Sequence, residues 1–226
     1  MNAVLFDFDR TLVNLGDYVP WKEAKEKMMD VYIASGVSPE FIKQYQSIFI
    51  LLIEIIDELS KSLPQVEVIK IQSHASKILE NYELMGVNQA TLMVGALDAL
   101  KFVKDKKLKV GVVSSNAPSS VKQCMRKLGI LKYVDYISGR DPKLRIKPYP
   151  DQIVLCLKKL KCNPENSVMI GDNLADLRSA KALDVTFIAV ITGRVSRSDF
   201  ESEKADYIIQ NLEELPGILL KLFKTV

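Results

Sequence analysis

Asp7 and Asp9 stand two residues apart at the end of an apolar run, in the stretch VLFDFDRTL over residues 4–12, and Thr11 follows two residues later. A run of this kind reads as a buried parallel strand that delivers its acids to the carboxyl edge of a sheet. Alternation along a strand puts Asp7 and Asp9 on one side of the chain. Two carboxylates ~4 Å apart repel by about 4 kcal/mol at an effective dielectric near 20. Such a pair calls for a cation, a shared proton, or both. The same nine residues also read as a turn begun by Asp9 with Asp7 capping a neighbour, and alone they do not decide.

Two later stretches end in polar residues just as abruptly. KVGVV runs into Ser114, Ser115 and Asn116 ahead of Pro118. Hydroxyls and N–H groups at a helix start suit a phosphate, although an ordinary turn with Asn116 as N-cap has the same sequence. SVMIG runs into Asp172, with Asp176 four residues on, where acids also suit a helix dipole. Lys147 sits in KPYPD, stiffened by Pro148 and Pro150, and by itself is one lysine among many. A parallel sheet would gather all of these strand ends at one edge. Asp7, Asp9, Asp172 and Asp176 would then form an acidic cluster that takes an anion only with a divalent cation inside it. Oxygen ligands alone, with room for water and substrate, suit Mg²⁺. Ser114 and Lys147 would face the phosphoryl group beside it.

The elements that must position these residues are legible as patterns. From residue 95 onward, strands and helices alternate: strands over 109–115, near 134–138, over 167–172, over 186–192 and near 206–210. Helices are expected over 96–106, from 118 to about 129, from 150 to about 162, over 174–183 and over 212–224. Residues 14–88 hold no convincing strand and read as helices over 21–35, 39–61 and 65–85, with Ser38 and Pro39 starting the second. The expected fold class is α/β: a doubly wound parallel sheet (Rossmann-like) core, residues 1–13 and 89–226, with an inserted all-helical cap domain over 14–88.

At 226 residues, with 48% hydrophobic side chains, the chain can bury a large core. Its 31 basic and 28 acidic residues are interspersed and sum to +3, which argues against nucleic acid or a membrane as partner. Cys124, Cys156 and Cys162 make no CxxC pair and fit reduced thiols in a cytoplasmic protein. The greasiest segment, SIFILLIEIIDELS, is interrupted by Glu54, Asp57 and Glu58 and is too short to span a bilayer, and no signal peptide is apparent at the start.

With these residues in view, the chain resembles the haloacid dehalogenase-like hydrolases over essentially its whole length, in particular their phosphoglycolate phosphatase-like branch with a helical cap. DFDRT is similar to the family's first motif, VVSSN to its second, KPYPD to its third and GDNLAD to its fourth, and KADYIIQNLEELPGIL to its usual ending. The resemblance implies a Mg²⁺-dependent phosphatase acting on a small phosphorylated metabolite. Asp7 would be the nucleophile, Asp9 the acid and then the base, Ser114 a phosphoryl contact and Lys147 the charge balance. Asp7, the Asp9 backbone carbonyl and Asp172 would hold the metal, with Asp176 supporting them. Thr11, Arg10, Ser115 and Asn116 would face substrate. A phosphomutase shares every one of these residues, and a non-catalytic binding module would keep the same fold. The chain would act as a monomer or homodimer, its cap hinged near Asn14 and Asn88, with Asp17, Tyr18 and Trp21 close to substrate. It departs from the pattern at Arg10 and Ile146, where small residues are common, and in VNLGDY, which lacks the usual Asp-Ser pair.

Overall fold

The computed structural model describes residues 1–224, and among them six strands form one parallel sheet in the order β3-β2-β1-β4-β5-β6. These are β1 (Ala3–Phe6), β2 (Lys109–Val113), β3 (Tyr136–Ser138), β4 (Ser167–Gly171), β5 (Thr186–Val190) and β6 (Tyr207–Ile209). β1 lies at the centre, with Phe6 level with Val112 on one side and Ile170 on the other. The chain winds outward in both directions from this strand, and the crevice beyond the carboxyl ends of β1 and β4 is where such sheets bind ligands. Asp7 N–H extends the ladder by donating to Ile170 O at 2.8 Å.

Successive side chains of each strand feed opposite faces. Val4 and Phe6 join Val110, Val112, Ile170 and Ile188 beneath α5 (Ala96–Asp105), α6 (Pro118–Lys127) and α10 (Leu215–Lys224). Ala3 and Leu5 join Met169 and Phe187 beneath α7 (Asp151–Leu160), α8 (Leu174–Lys181) and α9 (Arg197–Ser202). The expected doubly wound core is present, with element ends shifted by a few residues. α9 falls where only a loop is expected. It is six residues long, buries Phe200 alone and is started by a Ser196–Asp199 capping box, too little for a periodic signal.

Between β1 and β2 lie α1 (Trp21–Ala34), α2 (Pro39–Lys43), α3 (Ile48–Ser60) and α4 (Gln65–Gly86). They gather a hydrophobic cluster of their own, including Met28, Tyr32, Leu51, Ile55 and Leu79. The single helix expected over 39–61 is two. Ser38 caps the first by accepting from Phe41 N–H at 3.1 Å, and Ser47 restarts the second by accepting from Ile50 N–H at 3.4 Å. The helix expected over 212–224 likewise opens with a 3-10 turn (Leu212–Glu214) before α10. No helix among the described residues is long and apolar enough to cross a membrane.

Candidate active site

Past the ends of β1 and β4, Lys147 Nζ reaches Asp7 Oδ1 at 2.5 Å, Asp176 Oδ1 at 2.5 Å and Val113 O at 3.0 Å. All three charged side chains are buried. Burial opposes the ammonium charge, but Asp176 and Asp7 outweigh it and hold Lys147 well above the ordinary lysine range. Asp172 completes the group. Burial first, then the charges of Asp7 and Asp176, raise its carboxyl well above the usual range. Asp176 is pushed up to about 7 by burial and by Asp7, against the pull of Lys147.

Carboxylate oxygens of Asp7, Asp172 and Asp176 lie within 4.8 Å of one another. Three buried acids served by one lysine are under-neutralised, and an all-oxygen set at this spacing fits a hard divalent cation. The Asp9 carboxylate is not part of the set, contrary to the clustering of four acids expected from alternation. β1 ends at Phe6, and the chain then turns, with Leu12 N–H and Val13 N–H both donating to Phe8 O. Asp9 points instead at Gly16, whose N–H donates to Oδ1 at 2.7 Å. Burial pushes Asp9 up to about 6, helped by Asp7 and Asp17 and opposed by the Gly16 bond and by Arg10.

Each acid is held by a local device. In α8, Asp176 Oδ2 accepts from Asn173 N–H at 3.1 Å, while the Asn173 side chain accepts from Ala175 N–H at 3.0 Å, so one Asp176 oxygen serves the cap and the other Lys147. Thr11 Oγ1 donates to Asp172 Oδ1 at 3.4 Å. A Cβ on Gly193 would lie 2.0 Å from Asp172 Oδ2, and one on Gly16 would lie 2.1 Å from Asp9 Oδ2, so both carboxylates rest against bare backbone. Residues 4–190 match the haloacid dehalogenase-like hydrolase family.

The chain belongs to the haloacid dehalogenase-like hydrolases.

Curated relatives agree along the length: a pyrophosphatase PpaX of Bacillus pumilus is 25% identical over 221 residues, covering 97% of this chain and 96% of that one. Another, of Oceanobacillus iheyensis, is 22% identical and covers 97% of each. A hydrolase from Pseudomonas syringae shares the fold at a TM-score of 0.70 and 19% identity, covering 98% of this chain and 99% of that one.

The stretch VVSSN ends in a tight turn. Ser114, buried, donates from Oγ to Asn116 Oδ1 at 3.1 Å and accepts from Asn116 N–H at the same distance. Asn116 Nδ2 is buried without a hydrogen-bond partner. One N–H group at the helix start is already engaged. Ala117, not Asn116, is the N-cap of α6, and its N–H donates to Glu83 Oε2 at 2.9 Å. Ser115 is half-buried, with its carbonyl accepting from Arg140 Nη1 at 2.8 Å. Gln152 joins this turn to the KPYPD loop, donating to Ser114 O at 2.7 Å and accepting from Lys147 N–H at 3.3 Å.

Arg10, at φ 62°, ion-pairs with Asp17 near Asp9, while its carbonyl accepts from Thr192 Oγ1 at 2.5 Å. Trp21 Nε1 donates to Gly16 O at 2.9 Å and its ring meets Phe49 edge-on, so Trp21 anchors the strand exit rather than lining an open site. Tyr18 is exposed. Ile146 is buried in the cluster of the inserted helices, which accounts for a large residue where the family often has a small one. Sequence reading misses Gly16, Gln152, Thr192 and Gly193, which act through contacts and not through a motif.

Proposed function

We propose that the chain hydrolyses phosphoric esters or anhydrides by way of an aspartyl-phosphate on Asp7. What carries the reading is the buried arrangement of one lysine shared between Asp7 and Asp176, with Asp172 beside them, at the switch point of the sheet. An oxygen of Asp7 attacks phosphorus in line as the bond to the leaving oxygen breaks. Asp9 gives that oxygen a proton. Water then attacks phosphorus of the aspartyl-phosphate, Asp9 takes its proton, the P–O bond to Asp7 breaks, and phosphate leaves. A carboxyl near pH 6 can do both jobs close to neutrality.

Lys147 neutralises charge on Asp7 and on the transferred oxygens, and Ser114 with the unpaired Asn116 Nδ2 offers donors to them. Asp7, Asp172 and Asp176, with the Asp9 backbone, would hold Mg²⁺, which when bound supplies further charge stabilisation to the phosphoryl oxygens. Residues 14–88 serve as the cap over this edge, and the substrate is a small phosphorylated metabolite of the cytoplasm. Thr11 and Ser115 complete its surroundings. Arg10, next to Asp9, is placed for a second anionic group on the substrate. Pyrophosphate has such a group, and two relatives are named for cleaving it.

The test is release of inorganic phosphate from pyrophosphate and a panel of phosphomonoesters, with Mg²⁺ or chelator, for the native chain and Asp7→Asn. Chelator-sensitive release that Asp7→Asn lowers at least ~1,000-fold is expected. Undiminished release by Asp7→Asn, or none from any substrate by the native chain, would overturn the reading.

A further inference from the structure

Ser76 and Glu83 are seven residues apart in α4, two helical turns, and so share one face. That face meets Arg140, just past β3, and all of these polar groups are matched. Arg140 Nη1 donates to Glu83 Oε1 at 2.7 Å and to Ser115 O at 2.8 Å. Its Nε donates to Ser76 Oγ at 2.9 Å, and its Nη2 to Ser76 O at 3.1 Å. The second Glu83 oxygen takes Ala117 N–H, and Arg140 N–H donates to Asn116 O at 2.8 Å. Gly139 allows this last approach, since a Cβ there would lie 2.7 Å from Asn116 O. Glu83 is fully buried and Arg140 nearly so.

Stability alone gives little reason for such a pair, because a well-packed apolar pair does as well or better. Where its bonds end is more informative. Ser115 O, Asn116 O and Ala117 N–H are three successive residues of the turn that begins with Ser114. We infer that Glu83 and Arg140 are positioning residues through which α4 sets this turn, so that it has its anion-holding shape only while α4 is seated on the core. The inference rests on reading the Ser114 turn as a phosphoryl contact. Lifting α4 breaks the ion pair, frees Ala117 N–H from Glu83 and takes Glu83 and Ser76 away from the Arg140 side chain that holds Ser115 O, while the bond from Arg140 N–H to Asn116 O stays within the core. The grip on phosphate and the seating of the inserted helices are therefore one event, strong when seated and weak when lifted.

Single substitutions leave a buried charge alone and risk the fold, so the main variant is the double replacement Glu83→Leu with Arg140→Met, checked by thermal melting. Glu83→Gln and Ser76→Ala are milder companions if the double variant fails to fold. Three readouts are taken on the full chain with Mg²⁺ present: inorganic phosphate binding by calorimetry, KM against kcat, and amide exchange over residues 115–117. Folded variants should bind phosphate about 10-fold more weakly, raise KM more than they lower kcat, and exchange the Ala117 amide faster. Folded variants with native phosphate affinity, KM and Ala117 exchange would reduce the pair to a structural role and overturn the inference. Phosphate binding and exchange need no turnover. A native chain that cleaves nothing, yet loses phosphate affinity on these substitutions, would sink the proposed reaction and leave this inference standing.

Discussion

At the scale of single residues, the site depends on two glycines as much as on its acids. Gly193 leaves no room for a methyl group beside Asp172 Oδ2. Gly193→Ala should push Asp172 out of the triad and weaken Mg²⁺ affinity at least 10-fold, read by calorimetry, with activity falling in parallel at limiting metal. Unchanged affinity would mean that the loop after β5 gives way instead. Nothing in the sequence marks this glycine, because its meaning lies in contact with a residue 21 positions earlier and it has no side chain to suggest chemistry. Asp7 and Asp172 were legible for the opposite reason, since charged groups closing apolar strands are costly unless they work together, while Asp176 and Lys147 were legible only through the stretches GDNLAD and KPYPD around them. Arg10 carries a separate prediction. Its pairing with Asp17 holds a guanidinium near Asp9, and in the proposed reaction it would exchange Asp17 for a substrate anion. Arg10→Ala should lower kcat/KM for pyrophosphate at least 10-fold while changing an aryl monophosphate less than about 3-fold, in line with the loss of one charge-assisted contact. Equal losses on both substrates would remove Arg10 from substrate selection.

At the scale of elements, strands and their order were readable because a buried parallel strand is a short apolar run with few alternatives. Helix boundaries over 39–61 were not, because Ser47 interrupts a run whose periodicity continues across it. The placement of the loop after β3 was hidden for a further reason. Arg140, Arg145 and Ile146 all reach the inserted helices, Arg145 through an ion pair with Asp57 at 2.5 Å and Ile146 by burial, and each contact joins residues more than fifty positions apart. Lys147 follows directly, so the inserted helices brace the residue that serves Asp7. Ile146→Ala should cost about 2–4 kcal/mol in urea unfolding, as truncation of a buried isoleucine does. If the brace matters for catalysis, kcat should fall several-fold below the melting transition, where the protein is fully folded. Lost stability with unchanged kcat would show that Lys147 keeps its place through Gln152, Asp7, Asp176 and Val113 alone.

For the whole molecule, the acid cluster sets how stability responds to pH and metal. Asp9, Asp172 and Asp176 all have folded values raised above the usual carboxylate range, Asp9 to about 6 and Asp176 to about 7. Between about pH 4 and 7 the folded chain therefore binds more protons than the unfolded one, and its stability falls as pH rises through that window. Lys147 does not offset this there. Its raised value contributes stability that is complete below the unfolded lysine value and lost only at more alkaline pH. The roughly two-unit rise of Asp9 alone corresponds to about 3 kcal/mol. In chelator, Tm should thus drop by roughly 6–12 °C or more between pH 4.5 and 7.5, at 2–4 °C per kcal/mol for a chain of this size. A divalent cation held as proposed would bind the ionised acids of the folded state, so added Mg²⁺ should raise Tm little at pH 4.5 and most of the lost amount at pH 7.5. Asp172→Asn removes one acid and should flatten the chelated profile while reducing the response to Mg²⁺. A chelated profile that is flat or rises toward pH 7.5, or a Tm at pH 7.5 indifferent to Mg²⁺, would show that Asp7, Asp172 and Asp176 are already neutralised by Lys147 and hydrogen bonds, and that the triad is an electrostatic scaffold and not a metal centre.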